Sequence, residues 1–224
     1  MLVTIPDVLN KEDISVILDM MATANFREGT NSAGSEAKRV KNNHEMFISE
    51  IETQRLNNLV MGKLVQNPTY IATAFAARIA APYYAKYTEG MSYGNHVDDP
   101  VMGPPNQRYR SDISITIFLN EPEAYDGGEL VISTVFGENK VKLKAGDAVL
   151  YPSSSTHRVA EVTRGERLVA VTWLQSTIRD PAKREILYNL SQARETLIQT
   201  SPGTKELEQL SNGYVNLLRM WSDI

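Results

Sequence analysis

Two of the three histidines in this 224-residue chain stand where they could do chemistry together with an acid. His96 precedes Asp98 by two positions, in the segment Met91-Ser-Tyr-Gly-Asn-His-Val-Asp98. Residues i and i+2 of a strand project to the same face, roughly 6–7 Å apart. That segment, read as a strand, therefore aims an imidazole and a carboxylate at one point. His157, at the head of a second predicted strand, completes a set of three. Two imidazoles and one carboxylate on one face of an octahedral ion suit Fe(II) with its other positions left open. The same donors also suit Zn(II), but the chain has no His-Glu-x-x-His helix to supply a hydrolytic base. His44 has no spacing relation to the other two and reads as a loop or surface histidine.

Arg167 is the next candidate. It lies ten positions after His157 (167 − 157) and opens another predicted strand. Val169, Val171 and Trp173 share its face by period two. A guanidinium among apolar neighbours needs a partner, because a buried unpaired charge is very costly. A bound carboxylate would supply one, with the bidentate geometry that arginine fits better than lysine. The plain structural alternative is an edge salt bridge to Glu161 or Glu166. Beside a three-donor set the bound carboxylate is the favoured reading. Arg108 and Arg110 flank a Pro/Gly/Asn-rich connection, 99–108, that follows the proposed ligands. That connection reads as a lid or as an ordinary long loop, and the two arginines as solvent-facing.

The elements that must carry these residues are legible in outline. Asn10 and Asp13 form a helix-start signature, and Ile14, Ile17, Leu18 and Met21 follow at helical spacing. A second helix is predicted over 49–66, stopped by Asn67-Pro68. Residues 27–44 are polar and read as loop with at most a short strand. Strands are expected near 70–80, 82–88, 91–98, 111–119, 129–136, 139–143, 147–151, 156–163 and 167–175. Turn residues such as Asp126-Gly127-Gly128 and Arg164-Gly165-Glu166 separate them. Many short strands at this spacing fit a sandwich, a barrel or a double-sheet jelly roll. Beyond Gln175, Asp180-Pro181 opens a helix and Ser201-Pro-Gly-Thr204 breaks it. Leu207, Leu210, Tyr214, Leu217, Leu218 and Trp221 then form a second apolar stripe.

Composition narrows the function further. The chain has no cysteine, which excludes disulfides, thiolate catalysis and cysteine-held metal clusters. A reducing, cytoplasmic setting fits. The first residues lack the basic and apolar regions of a signal peptide. The most apolar stretch, 70–85, is interrupted by Arg78 and Pro82, so no membrane partner is expected. With a formal net charge of −4 and one dense basic run, Lys38-Arg-Val-Lys41, nucleic acid is not an expected partner either. That run reads as a solvated loop.

The ordered motifs say more than any one of them. Tyr87-Thr-Glu-Gly-Met-Ser-Tyr-Gly-Asn-His-Val-Asp98, Ser111-Asp-Ile-Ser-Ile-Thr-Ile-Phe-Leu-Asn120, Asp126-Gly-Gly-Glu-Leu130, Ala145-Gly-Asp-Ala-Val-Leu-Tyr-Pro152, His157-Arg-Val and Arg164-Gly-Glu-Arg167 together resemble the Fe(II)/2-oxoglutarate-dependent dioxygenases. More narrowly, they resemble the bacterial-type PKHD hydroxylases related to prolyl and lysyl hydroxylases. The likeness runs nearly end to end. It implies a mainly β fold with flanking α-helices, a double-stranded β-helix (distorted jelly roll) with N-terminal and C-terminal helices. It also implies a catalytic unit over 1–178 and a helical extension over 179–224. By resemblance His96, Asp98 and His157 bind Fe(II) and Arg167 binds the distal carboxylate of 2-oxoglutarate. Tyr87 is the candidate tyrosine donating to that same carboxylate, with Tyr93 the alternative. Trp173 matches a family tryptophan lining the pocket, beside its reading as plain core.

The implied reaction is hydroxylation of an unactivated C–H bond with O2, releasing succinate and CO2, with L-ascorbate stimulation as in related hydroxylases. A non-catalytic jelly-roll module that binds or senses metal and 2-oxoglutarate is the alternative. A sugar isomerase or metal-storing cupin has no need of Arg167. The substrate stays open: a prolyl or lysyl residue, an amino-acid-like small molecule or a peptide. The C-terminal helices would serve as a homo-oligomer interface or as an intrachain cover.

Overall fold

A computed structural model describes residues 1–32, 34 and 36–223. The local signals for helix starts act as their chemistry requires. The Asn10 side chain accepts the Asp13 N–H at 2.8 Å and the Asp13 carboxylate accepts the Asn10 N–H at 3.1 Å. This reciprocal box opens α1 (Lys11–Thr23). Ser49 and Glu52 open α2 (Glu50–Gln66) in the same way. Asn67 ends α2 and begins α3 (Pro68–Ala74), accepting the N–H groups of Thr69 and Tyr70 at 2.9 and 3.3 Å. The strand expected over 70–80 is therefore helix in its first half. The chain turns at Phe75, whose φ of 45° is left-handed, and only Ala76–Ile79 is extended. An asparagine cap with proline at the first helical position outweighed the β-branched and aromatic composition.

The first strands are β1 (Val3–Ile5), β2 (Asn25–Glu28), β3 (Lys41–Asn42), β4 (His44–Phe47), β5 (Ala76–Ile79), β6 (Tyr83–Tyr87), β7 (Ser92–His96), β8 (Val101–Met102) and β9 (Tyr109–Arg110). The remaining strands are β10 (Ile113–Phe118), β11 (Tyr125–Gly127), β12 (Leu130–Thr134), β13 (Gly137–Val141), β14 (Ala148–Pro152), β15 (His157–Val159), β16 (Val162–Gly165) and β17 (Arg167–Ser176). The strand expected over 156–163 divides into β15 and β16. The polar stretch 27–44 contains the end of β2, all of β3 and the start of β4, more strand than its composition suggests. The connection after Asp98 folds as the short hairpin β8–β9.

The larger sheet runs β1-β14-β10-β17-β6-β4-β2, with β5 also paired to β17, and the smaller runs β13-β12-β15-β7-β3. Every residue of β10 is buried, so both faces of the larger sheet are covered. Ile113, Ile115 and Ile117 face one core with α1 and α2 side chains such as Ile17, Leu56 and Leu64. On the other face Phe118, Val149, Tyr151 and Val169 join Leu130, Ile132 and Val159 of the smaller sheet in a second core. Two antiparallel sheets with a shared inner core make the distorted jelly roll that the strand pattern implies. At the C-terminus α4 (Pro181–Thr200) and α5 (Lys205–Trp221) pack as a hairpin. Buried Arg184 anchors α4, donating to the carbonyls of Ile178 (2.7 Å) and Arg179 (3.0 Å). The apolar stripe of α5 is only half-buried, with no residue of that helix fully enclosed.

Candidate active site

Strand register brings the first two candidates together. β7 and β15 are neighbours in the smaller sheet, and His96 and His157 are direct cross-strand partners. Their rings lie 4.2 Å apart between centroids. Each Nδ1 meets the carbonyl two residues earlier in its own chain: His96 with Gly94 at 2.8 Å and His157 with Ser155 at 2.9 Å. A carbonyl only accepts, so Nδ1 carries a proton in both rings and Nε2 is the atom left to bind a ligand. Asp98 lies two residues past the end of β7, outside the strand expected to carry it. Its Oδ1 is 3.7 Å from Nε2 of His96 and 3.7 Å from Nε2 of His157. One donor atom from each residue lies within 4.8 Å of the other two.

The other carboxylate oxygen is engaged differently. Asp98 Oδ2 accepts the Trp173 indole N–H at 2.9 Å and the Ser114 hydroxyl. Ser114 in turn meets the hydroxyl of Ser153 at 2.8 Å. Burial, then the neighbouring His157, lowers the His96 pKa to about 4. The ring is thus neutral at physiological pH and available as a ligand without losing a proton. These donors fit a divalent ion: two imidazoles that each turn Nε2 toward Asp98, one carboxylate oxygen without a hydrogen bond among the described residues, and outer groups that orient all three.

The three side chains line a cavity of about 1120 Å³ that is also lined by Arg167, Tyr87, Thr116 and Trp173. Arg167 is 1% exposed. Its guanidinium lies over the rings of Tyr87 (5.0 Å) and Phe118 (5.7 Å), and its Nε has no hydrogen-bond partner among the described residues. Neither Glu161 nor Glu166 forms an ion pair with it among the described residues. The salt-bridge alternative is therefore not what the fold provides, and among the described residues no carboxylate pairs with the buried cation on the cavity wall. Tyr87 is the cross-strand partner of Arg167 and is buried beside it. Burial pushes its hydroxyl up to about 12, with the Arg167 charge pulling the other way.

Other candidates fall where expected or elsewhere. Tyr93 stacks on the His96 ring at 3.7 Å and is a wall of the metal end. His44, on β4, is 3.6 Å from Glu28 and apart from the three donors. Arg108 is exposed, while Arg110 is held by Asp112 at 2.6 and 2.9 Å. Lys41 corrects the solvated-loop reading of its basic run. Its side chain is 10% exposed, paired with Glu45 at 2.7 Å, bonded to Ser32 at 2.9 Å, and 5.3 Å from the Tyr93 ring. Ser114, Ser153 and Tyr125 also escaped the sequence reading. Ser114 and Thr116 alternate with isoleucines in a fully buried strand, and that pattern of buried hydroxyls was the available signal. Tyr125 packs with Arg167 around Gly128, a position with φ of 66° where a Cβ would meet both side chains.

Comparisons with known proteins agree with this geometry. Residues 82–175 match the 2OG-Fe(II) oxygenase superfamily, and residues 181–223 match the PKHD-type hydroxylase C-terminal domain. A PKHD-type hydroxylase of Thioalkalivibrio sulfidiphilus is 48% identical over 224 residues, all of both chains. Another of Alteromonas mediterranea is 42% identical over 228 aligned residues, again all of both chains. Among solved structures, a Pseudomonas putida prolyl-4-hydroxylase aligns with a TM-score of 0.54 at 18% identity, covering 78% of this chain and 92% of that one. A Trichoplax adhaerens prolyl hydroxylase, in complex with a hypoxia inducible factor peptide fragment, aligns with a TM-score of 0.56 at 15% identity over 85% and 86%. HygX from Streptomyces hygroscopicus, with nickel, 2-oxoglutarate and hygromycin B bound, aligns with a TM-score of 0.52 at 11% identity over 79% and 83%. At these identities the structural likeness speaks for the fold.

The superfamily match defines the class as 2-oxoglutarate- and Fe(II)-dependent oxygenase. Within that class, the chain belongs to the PKHD-type hydroxylases. It is thus a 2-oxoglutarate-dependent hydroxylase that uses Fe(II) and O2. Among the described residues no helix is long and apolar enough to cross a membrane.

Proposed function

We propose that His96, Asp98 and His157 are the iron ligands and that Arg167, flanked by Tyr87, binds the distal carboxylate of 2-oxoglutarate. The observation that carries this reading is a three-donor cluster and an unpaired buried arginine on the wall of one cavity. When bound, Fe(II) with 2-oxoglutarate and O2 supplies the chemistry that hydroxylates a C–H bond and releases succinate and CO2. The residues contribute position and environment. The two Nδ1–H···O=C bonds turn each Nε2 toward Asp98 Oδ1, and these three atoms would hold the ion. The Arg167 guanidinium takes a dicarboxylate by its far end, which sets the other end toward the three ligands. Tyr87, Phe118 and Val169 exclude water from that charge pair, which strengthens it.

The substrate of this reading is an amino-acid-like small molecule or a peptidyl residue, prolyl or lysyl, taken from an aqueous phase. The cavity exceeds what a C5 dicarboxylate fills, and Tyr83 and Trp173 wall part of it. The division into a catalytic unit, 1–178, and a helical extension, 179–224, belongs to the same reading. Family matches that end at 175 and resume at 181 support it. The decisive test is succinate formation and O2 uptake on adding Fe(II) and 2-oxoglutarate, with a search for +16 Da products among candidate amino acids and peptides. His96→Ala and Asp98→Ala should abolish both signals. Full activity in either variant would refute the ligand assignment.

A further inference from the structure

We infer that Ser114 and Trp173 together make Asp98 a one-oxygen ligand, and that Ser153 holds Ser114 in that role, an inference that rests on the metal assignment above. The Trp173 indole N–H can only donate, and it donates to Oδ2 at 2.9 Å. A serine hydroxyl has a single proton, and that of Ser114 also goes to Oδ2. The 2.8 Å contact between Ser114 and Ser153 must therefore be donated by Ser153. A directed chain results: Ser153 to Ser114 to Asp98, met on the same oxygen by Trp173. Oδ1 receives neither donor and faces the two Nε2 atoms at 3.7 Å each.

The fold builds this arrangement from register. Ser114 and Trp173 are direct cross-strand partners on β10 and β17, so both project to the same side at the same level. Ser153 directly follows β14, the other neighbour of β10. Ser114 and Ser153 are both essentially fully buried. Were an ion to take both carboxylate oxygens, the fully buried Ser114 hydroxyl and the Trp173 indole N–H would both lose their acceptor, which costs most at the buried hydroxyl. The two donors therefore work as positioning residues. They fix the carboxylate's rotation and keep its second oxygen off the ion, so that three coordination positions remain for cosubstrate and O2.

The test is Co(II) binding to chelator-stripped full-length protein, measured by calorimetry and by the visible absorption of the bound ion. His96→Ala should bind no Co(II). Ser114→Ala and Trp173→Phe should each bind about 10- to 100-fold more weakly than the parent, the usual effect of losing an outer partner of a ligand. Each should also shift the Co(II) spectrum, because release of Oδ2 changes the coordination. Ser114→Thr keeps the hydroxyl and should restore parental affinity and spectrum, and Ser153→Ala should fall between parent and Ser114→Ala. Parental affinity and spectrum in both Ser114→Ala and Trp173→Phe would overturn the role while leaving the metal site standing. Absence of Co(II) binding by the parent would overturn the metal assignment, and this role with it. If Ser114→Ala fails to fold by circular dichroism, Trp173→Phe decides by the same criteria.

Discussion

Arg167→Met separates a structural arginine from a ligand-binding one, because the two roles predict opposite effects on the free protein. Arg167 is 1% exposed and no protein carboxylate pairs with it among the described residues. Burying a lone cation costs several kcal/mol even after relaxation. The two aromatic faces 5.0 and 5.7 Å away return about 1–2 kcal/mol each. The balance leaves the arginine neutral to unfavourable for folding without ligand, and methionine fills much of the same volume. The melting temperature of ligand-free Arg167→Met should therefore match the parent or rise, by about 2–4 °C per kcal/mol for a chain of this size. With Mn(II) present, 2-oxoglutarate at a hundred times its Kd should stabilise the parent by about 2.7 kcal/mol. The variant should lose that increment, its affinity weakened by roughly 2–5 kcal/mol, or about 30-fold to a few thousand-fold. Arg167→Lys should lie between, having charge without the bidentate fork. Thermal melts with and without 2-oxoglutarate read both effects. A ligand-free melting temperature several degrees lower in Arg167→Met, with the 2-oxoglutarate increment intact, would refute the reasoning.

Three further outcomes follow from the same structure. His96 titrates near 4 in the fold, against 6.5 for the free side chain, so between those values the unfolded chain holds the extra proton. Stability of the metal-free protein should be full above about pH 6.5 and fall as pH drops toward 4; denaturation across that range should show the slope, reduced in His96→Gln. Lys41→Met leaves Glu45 as a buried unpaired charge and should cost about 3–5 kcal/mol, whereas Lys41→Met with Glu45→Met should regain most of it in thermal melts. Gly94→Ala places a Cβ 2.8 Å from the Val40 Cβ, so β3 must retreat from β7; Val40→Gly should rescue its stability and Val40→Ala should not, since alanine keeps the atom that is met.

What could be read in advance was whatever depends on near neighbours in sequence. The helix caps at Asn10 and Ser49 act within one turn, so residue type and spacing suffice. The i, i+2 spacing of His96 and Asp98 needed only extended backbone, and Asp98 keeps the expected direction although β7 ends before it. Arg167 stood out because its face is otherwise apolar. What was hidden depends on pairing between distant strands. Lys41 lies in a basic run that reads as solvated, and only the crossing from β3 in one sheet to β4 in the other buries it beside Glu45. β1, three residues long, is a strand only because β14 offers an edge. The carboxylate's partners are 16 and 75 residues away from Asp98, and no local pattern connects them.

One device recurs at both imidazoles and accounts for the precision of the site. In each case the chain itself supplies, two residues before the histidine, the carbonyl that holds its Nδ1–H: Gly94 within β7, and Ser155 in the bend that leads into β15. The ring's orientation is thus set in part by its own backbone. Sheet pairing then needs only to align His96 with His157 for two prepared Nε2 atoms to converge. A slip of one residue between β7 and β15 would turn one imidazole to the opposite face, so the ladder itself specifies the metal site. The carboxylate lacks such local support, being outside a strand, and its orientation must come from elsewhere in the sheet. That is why a tryptophan and two serines, drawn from β10, β17 and the end of β14, gather on the one ligand that secondary structure does not hold.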